Sequence, residues 1–129
     1  MANPPGQKFR KCDLHTHTPA SKCYRYQEHT AEELVVAALE QGLDAIAVTD
    51  HNSGAWLDAM KKAALDTALT IFPGVEISAH ENYHVVVLFD PSAGRAEVEG
   101  LLASLDFTPD QFGNSEITCT KSIYDIFTA

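Results

Sequence analysis

Apolar and polar positions alternate along the chain in blocks that divide it into strands and helices. Residues 8–14 read as a strand with Phe9, Cys12 and Leu14 as apolar positions, running into His15-Thr16-His17-Thr18-Pro19, where the proline helps to end it. After a polar loop over residues 20–29, Thr30-Ala31-Glu32-Glu33 has the form of a capping box. Ala31, Leu34, Val35, Ala38 and Leu39 follow at helical spacing, and Gly42 falls where a C-terminal cap belongs. Residues 43–48 form a short apolar run suited to a strand buried on both faces, which ends in Thr49-Asp50-His51-Asn52-Ser53. Asn52 or Ser53 is placed to cap a second helix, with Trp56, Ala59, Met60, Ala63 and Ala64 on one stripe.

Residues 70–72 resume a strand, which Pro73-Gly74 interrupts before residues 75–79 continue it. A turn at residues 80–82 leads to a strong strand over residues 83–89. Val98, Leu101, Leu102 and Leu105 mark a third helix, residues 108–114 a loop, and Ile123, Ile126 and Phe127 the start of a fourth helix. Strands alternating with helices predict an α/β fold with a parallel sheet and right-handed crossovers, either doubly wound or a β/α barrel. Four or five strands are too few to close a barrel. The expectation is therefore a tail over residues 1–8 and, over residues 9–129, one domain that is incomplete at its C-terminal end. An open strand edge and the apolar face of the last helix would then favour self-association or further domains after residue 129.

At 129 residues, 45% hydrophobic and 21% charged, the chain has the composition of a globular domain with a real core, which disfavours intrinsic disorder. Eighteen acidic against nine basic side chains give a net charge of −9, which argues against non-specific binding to nucleic acid or to an anionic membrane surface. The longest apolar runs fall far short of a membrane span, and the first residues have neither the basic start nor the apolar stretch of a secretory signal. A cytoplasmic location is the default expectation. Three widely spaced cysteines, Cys12, Cys23 and Cys119, are expected to be reduced thiols.

The candidate chemistry lies at strand ends. In His15-Thr16-His17 a period of two puts both imidazoles on one face, with Asp13 behind them, where they can share one metal ion. Asp50-His51 follows the wholly apolar strand, at the edge where parallel α/β folds collect functional groups, although Asp50 alone reads equally as a helix cap. Glu76 lies between Val75 and Ile77, so its carboxylate must point away from the face that those two bury. His84 opens an apolar strand in which an unpaired imidazole is costly. Together these residues favour metal binding, and imidazole with carboxylate suits Zn²⁺, Mn²⁺ or Fe²⁺, with the glutamate able to bridge two ions.

Asp-Leu-His-Thr-His-Thr (13–18), Ala-Val-Thr-Asp-His-Asn (47–52), Pro-Gly-Val-Glu-Ile-Ser (73–78) and the following His84 resemble the first motifs of the PHP superfamily, named for polymerase and histidinol phosphatase, over residues 9–90. The resemblance implies the N-terminal part of a distorted seven-stranded β/α barrel and a di- or trinuclear metal site that hydrolyses phosphate monoesters or diesters. It also implies that His15, His17 and Glu76 hold one ion, that Glu76 bridges to a second held by His84, and that His51 belongs to a third. The expected catalytic residues are thus His15, His17, Asp50, His51 and Glu76, and the expected metal ligands His15, His17, His51, Glu76 and His84. A small-molecule or nucleotide phosphate ester is the expected substrate.

Two departures stand out. Where the resembling proteins place an aspartate or histidine after the paired histidines, this chain has Ser21-Lys22-Cys23. Lys22 is then a solvated loop lysine or a phosphate contact. The superfamily's later histidine and its final Asp-x-His motif have no counterpart here. His29 and His80 match no motif and are expected at the surface. Two other readings are a C–N hydrolase of the amidohydrolase type and a non-catalytic metal-binding domain of a larger nucleotide-handling protein.

Overall fold

The computed structural model describes residue 6 and residues 8–129, so the expected tail over residues 1–8 lies mostly outside the described residues. Four strands, β1 (Cys12–Thr16), β2 (Ala45–Val48), β3 (Thr70–Ser78) and β4 (His84–Leu88), form one curled sheet in the order β1-β2-β3-β4, a partial (β/α) barrel. Helices α1 (Ala31–Glu40), α2 (Leu57–Ala64) and α3 (Arg95–Ser104), a 3₁₀ turn at Pro109–Gln111, and α4 (Ile123–Thr128) complete it.

Local signals account for α1. Thr30 Oγ1 accepts from the Glu33 N–H while Glu33 Oε2 accepts from the Thr30 N–H, so two otherwise orphaned donors are satisfied reciprocally. Gly42 follows the C-cap at φ 72°, a conformation that L side chains rarely adopt. Ala31, Val35 and Ala38 face the core, as their spacing predicts. All four residues of β2 are buried, in keeping with a central strand covered on both faces.

Four expectations are corrected. The first strand lies later than residues 8–14, and its apolar positions are not core: Phe9 is 99% exposed, and Cys12 and Leu14 are exposed on an edge strand. Pro73-Gly74 does not interrupt β3. Its residues 70–73 pair in parallel with β2, residues 74–78 pair antiparallel with β4, and the proline sits at the handover. Gly74 is needed there because a Cβ would lie 2.7 Å from the Val87 carbonyl oxygen. The sheet is also not wholly parallel, because five residues between β3 and β4 allow a hairpin but not a crossover.

The fourth correction concerns α2, whose N-cap is Trp56 and makes no side-chain capping bond. Asn52 and Ser53 serve the turn before it. Asn52 takes a left-handed φ of 46° and its Nδ2 donates to the Asn114 carbonyl, while Ser53 Oγ accepts from the Ala55 N–H. Of the positions predicted for the third helix, Val98 and Leu102 are buried within it, Leu101 is half-buried and Leu105 is buried as its C-cap, whereas on α4 Ile126 is buried and Phe127 faces solvent.

Candidate metal centre

The sheet brings His15, His17, His51, Glu76 and His84 to one place. Between Asp13 and Thr16 the register of β1 slips against β2, three steps on one strand facing two on the other. Such a bulge re-aims side chains. Asp13 Oδ1 accepts from the His15 N–H within it, 3.2 Å away. Beyond β2 the chain keeps alongside β3: the Glu76 N–H donates to the Asp50 carbonyl and the Glu76 carbonyl accepts from Asn52, both at 3.0 Å. His51 thus lies beside Glu76 in an isolated parallel bridge. His84 reaches the same carboxylate from the far strand of the hairpin.

Glu76 is the hub, 3% exposed and opposite the buried Val75 and Ile77. Its Oε2 lies 2.9 Å from His15 Nε2, 2.9 Å from His17 Nε2 and 3.7 Å from His51 Nδ1, and its Oε1 lies 2.6 Å from His84 Nδ1. Burial works to raise its carboxyl pKa, but hydrogen bonds from His15 and His84, with the His51 and His15 charges, hold it below the usual value. Burial pushes the His51 imidazole down, outweighing the attraction of Glu76. His84 is exposed rather than buried in the strand, and its partner is Glu76 rather than a tyrosine or the backbone.

Asp50 stands behind the cluster and caps no helix. Its buried carboxylate accepts from the Thr18 N–H at 2.6 Å, the Thr18 hydroxyl at 2.6 Å and the Ser21 hydroxyl at 2.8 Å. Burial raises its pKa against the pull of these donors. The Ser21 hydroxyl, having given its proton to Asp50, accepts from the His51 N–H at 3.0 Å and from His17 Nδ1 at 3.1 Å. That fixes the His17 proton on Nδ1 and leaves the Nε2 lone pair facing Glu76, the arrangement by which outer hydrogen bonds orient a metal-ligating histidine.

These atoms suit a cation. His17 Nε2, His15 Nε2 and Glu76 Oε2 converge with separations of 2.9, 2.9 and 3.2 Å. Lone pairs so close repel unless a proton or a metal ion lies among them, and imidazole with carboxylate is a donor set for Zn²⁺, Mn²⁺ or Fe²⁺. Two groups of three, His15-His17-Glu76 and His17-Cys23-His51, have potential ligand atoms all within 4.8 Å of one another. The second brings in Cys23, which by sequence is only an expected reduced thiol.

Thr18, Ser21 and Gly113 were also missed. The Gly113 N–H donates to the His51 carbonyl at 2.9 Å, and its carbonyl accepts from the Lys22 N–H at 2.8 Å. Hydroxyl residues shortly after the paired histidines were the available signal for the first two; none marked the glycine. Lys22 is exposed, as is His80, whereas His29 is half-buried against Tyr24 and Tyr26.

A curled α/β sheet whose strand ends gather histidines around one buried carboxylate is a scaffold suited to hold a divalent metal ion. A sequence profile described as the PHP domain matches residues 13–126, and the chain belongs to that family. It is 37% identical over 79 residues to the 5'-3' exoribonuclease Rnm of Salmonella typhimurium, covering 59% of this chain and 26% of that protein. With a 5'-3' exoribonuclease of Haemophilus influenzae it shares 34% identity over 82 residues, 61% of this chain and 28% of the other. The matches thus span little more than a quarter of each curated relative.

Among solved structures, a candidate metal-dependent phosphoesterase from Bifidobacterium adolescentis superposes with a TM-score of 0.54 at 29% identity, over 80% of this chain and 34% of that one. An amidohydrolase from Chromobacterium violaceum, with bound sulfate and no metal, gives 0.55 at 26% identity, over 74% and 33%. The two curated relatives and both solved neighbours carry the names of hydrolytic enzymes, and the matches cover about a third or less of each. Among the described residues no helix is long and apolar enough to cross a membrane.

Proposed function

We propose that this chain forms part of the catalytic site of a metal-dependent phosphoesterase. The observation that carries the reading is the convergence of His15, His17, His51 and His84 on the single buried carboxylate of Glu76. A divalent cation bound there supplies neutralisation of charge on phosphoryl oxygens and acidification of water. The chain's own residues hold and orient it. His15, His17 and Glu76 provide one set of donors, His84 extends the set on the other carboxylate oxygen, and His51 flanks it. Asp50 acts as a positioning residue through Thr18 and Ser21, keeping the His17 proton on Nδ1. No serine or cysteine nucleophile is required.

Of the two ester classes we favour the diester, because the two curated relatives are named as exoribonucleases. With a net charge of −9, affinity for a polyanion rests on the metal site rather than on bulk charge. We further propose that residues 9–129 are one portion of a larger domain that supplies additional ligands, so that this chain alone turns over slowly.

The test is hydrolysis of an aryl phosphodiester, an aryl phosphate and an aryl amide with added Mn²⁺ or Zn²⁺. The chain is compared with a version extended through the remaining length of its relatives. Metal-dependent diester cleavage by the extended protein, lost in Glu76→Gln, is expected. Amide cleavage alone would transfer the site to the amidohydrolase reading, which the Chromobacterium neighbour keeps in view. Metal binding without turnover on any ester would support a binding module.

A further inference from the structure

We propose that Cys23 is a metal ligand, forming with His51 and His17 a sulfur-containing cation site selective for Zn²⁺ over Mn²⁺. The inference rests on the metal-site reading above and deepens it. Potential ligand atoms of His17, Cys23 and His51 all lie within 4.8 Å of one another, and the His17 and His51 ring centroids are 4.6 Å apart. Two imidazoles and one thiolate make a three-donor set with room for a water or substrate oxygen at the fourth position, the usual arrangement of an open zinc site. Cys23 is exposed, so a rotation of its side chain closes the set without moving the core.

The backbone that carries Cys23 is braced on both sides. The Ser21 N–H donates to the Thr18 carbonyl and the Tyr24 N–H to the Ser21 carbonyl, two successive turns at 3.0 Å each. Asp50 holds Thr18 and Ser21, Gly113 holds Lys22, and Gln27 Nε2 donates to the Ser21 and Tyr24 carbonyls. On the other side, the backbone N–H of His51 is tied to Ser21 Oγ and its carbonyl to Gly113. Such bracing is what a preorganised ligand set requires.

Sulfur decides the selectivity. Mn²⁺ is satisfied by oxygen and imidazole, whereas a thiolate draws the softer Zn²⁺ or Co²⁺. His17 is common to both groups of three, so an ion on the sulfur side competes with one beside Glu76 for that imidazole. Cys23 therefore biases both which ion the cluster holds and where it sits.

The experiment is titration of the reduced, metal-free chain with Co²⁺, followed by near-ultraviolet absorption for sulfur-to-cobalt charge transfer and by calorimetry for total binding. The expected result is a charge-transfer band in the unsubstituted chain and in Cys12→Ser but not in Cys23→Ser, which still binds Co²⁺ through His15, His17 and Glu76. The Zn²⁺-to-Mn²⁺ affinity ratio should fall in Cys23→Ser by at least about tenfold, the lower bound for losing even an outer partner of a metal site. Cobalt binding without the band, or a band that survives Cys23→Ser, overturns this proposal and leaves the Glu76 site standing. No cobalt binding at all overturns both.

Discussion

Thr18 and Asp50, 32 positions apart, meet through two parallel hydrogen bonds of 2.6 Å, the Thr18 N–H on one carboxylate oxygen and the Thr18 hydroxyl on the other. This clamp joins the loop after the paired histidines to the segment that carries His51, and Ser21 passes it on to His17. Asp50→Asn turns an acceptor into a donor facing donors. Leaving buried polar groups unpaired should cost about 1–3 kcal/mol of stability. Loss of the bond that orients His17 should weaken metal binding about 10- to 100-fold. Thermal unfolding and metal titration of Asp50→Asn check the two effects, and unchanged metal affinity would deny Asp50 its positioning role.

Metal retention should depend on the paired histidines and the hub carboxylate. After preparation in Zn²⁺ or Mn²⁺, elemental analysis should find at least one divalent ion per chain. His15→Ala with His17→Ala should remove most of it. An ion that binds only the folded state adds about 2.7 kcal/mol at a free concentration 100 times its Kd, so excess chelator should lower the melting temperature. An unchanged melting curve after confirmed metal loss would mean that the cluster holds no structural ion.

The handover in β3 predicts intolerance at Gly74. A Cβ there would lie 2.7 Å from the Val87 carbonyl oxygen and 3.0 Å from both Leu88 Cδ2 and Thr49 Cγ2. The carbonyl belongs to the β3–β4 ladder and cannot turn aside, so Gly74→Ala must push β4 away. A cost of about 1–3 kcal/mol, the usual range for overpacking, is expected in chemical unfolding. Gly100→Ala, where a Cβ would meet nothing within 4 Å, is the control and should be neutral or slightly stabilising in the helix.

What the sequence made legible were features with a local cause. The capping box at Thr30 and Glu33, the buried β2 and the shared face of His15 and His17 follow from spacing alone. The bulge between Asp13 and Thr16 has no composition signal, since it is set by what β2 offers opposite it. Pro73 read as a break because a proline cannot donate to a ladder, yet the strand exchanges partners at that point. Asp50 read equally as a functional residue or a helix cap, because its partners, Thr18 and Ser21, are neighbours only in three dimensions. Cys23 was visible only as a departure until the fold set it beside His51. The antiparallel β4 was the avoidable error, for five connecting residues cannot hold a crossover.

Cys119 supplies a test of the core that is independent of the metal cluster. It is buried, its N–H donates to the Ser78 carbonyl at 2.6 Å, and its sulfur faces the Leu105 carbonyl at 3.7 Å. Burial pushes its thiol above the ordinary value of 9.0. Between pH 9.0 and the higher folded-state value, the folded protein holds a proton that the unfolded chain has released. Stability from this group is therefore full below about pH 9 and is lost as the pH rises through that window. Cys119→Ala should flatten the alkaline limb of a stability-against-pH curve while leaving the neutral region parallel to that of the unsubstituted chain. Alkylation of the metal-free chain gives a second readout: Cys12 and Cys23 are exposed and should react quickly, while Cys119 should react at the rate of opening. Three thiols labelling at one rate in the native protein would show that the packing of Cys119 against Leu105 and Ser78 is not maintained in solution.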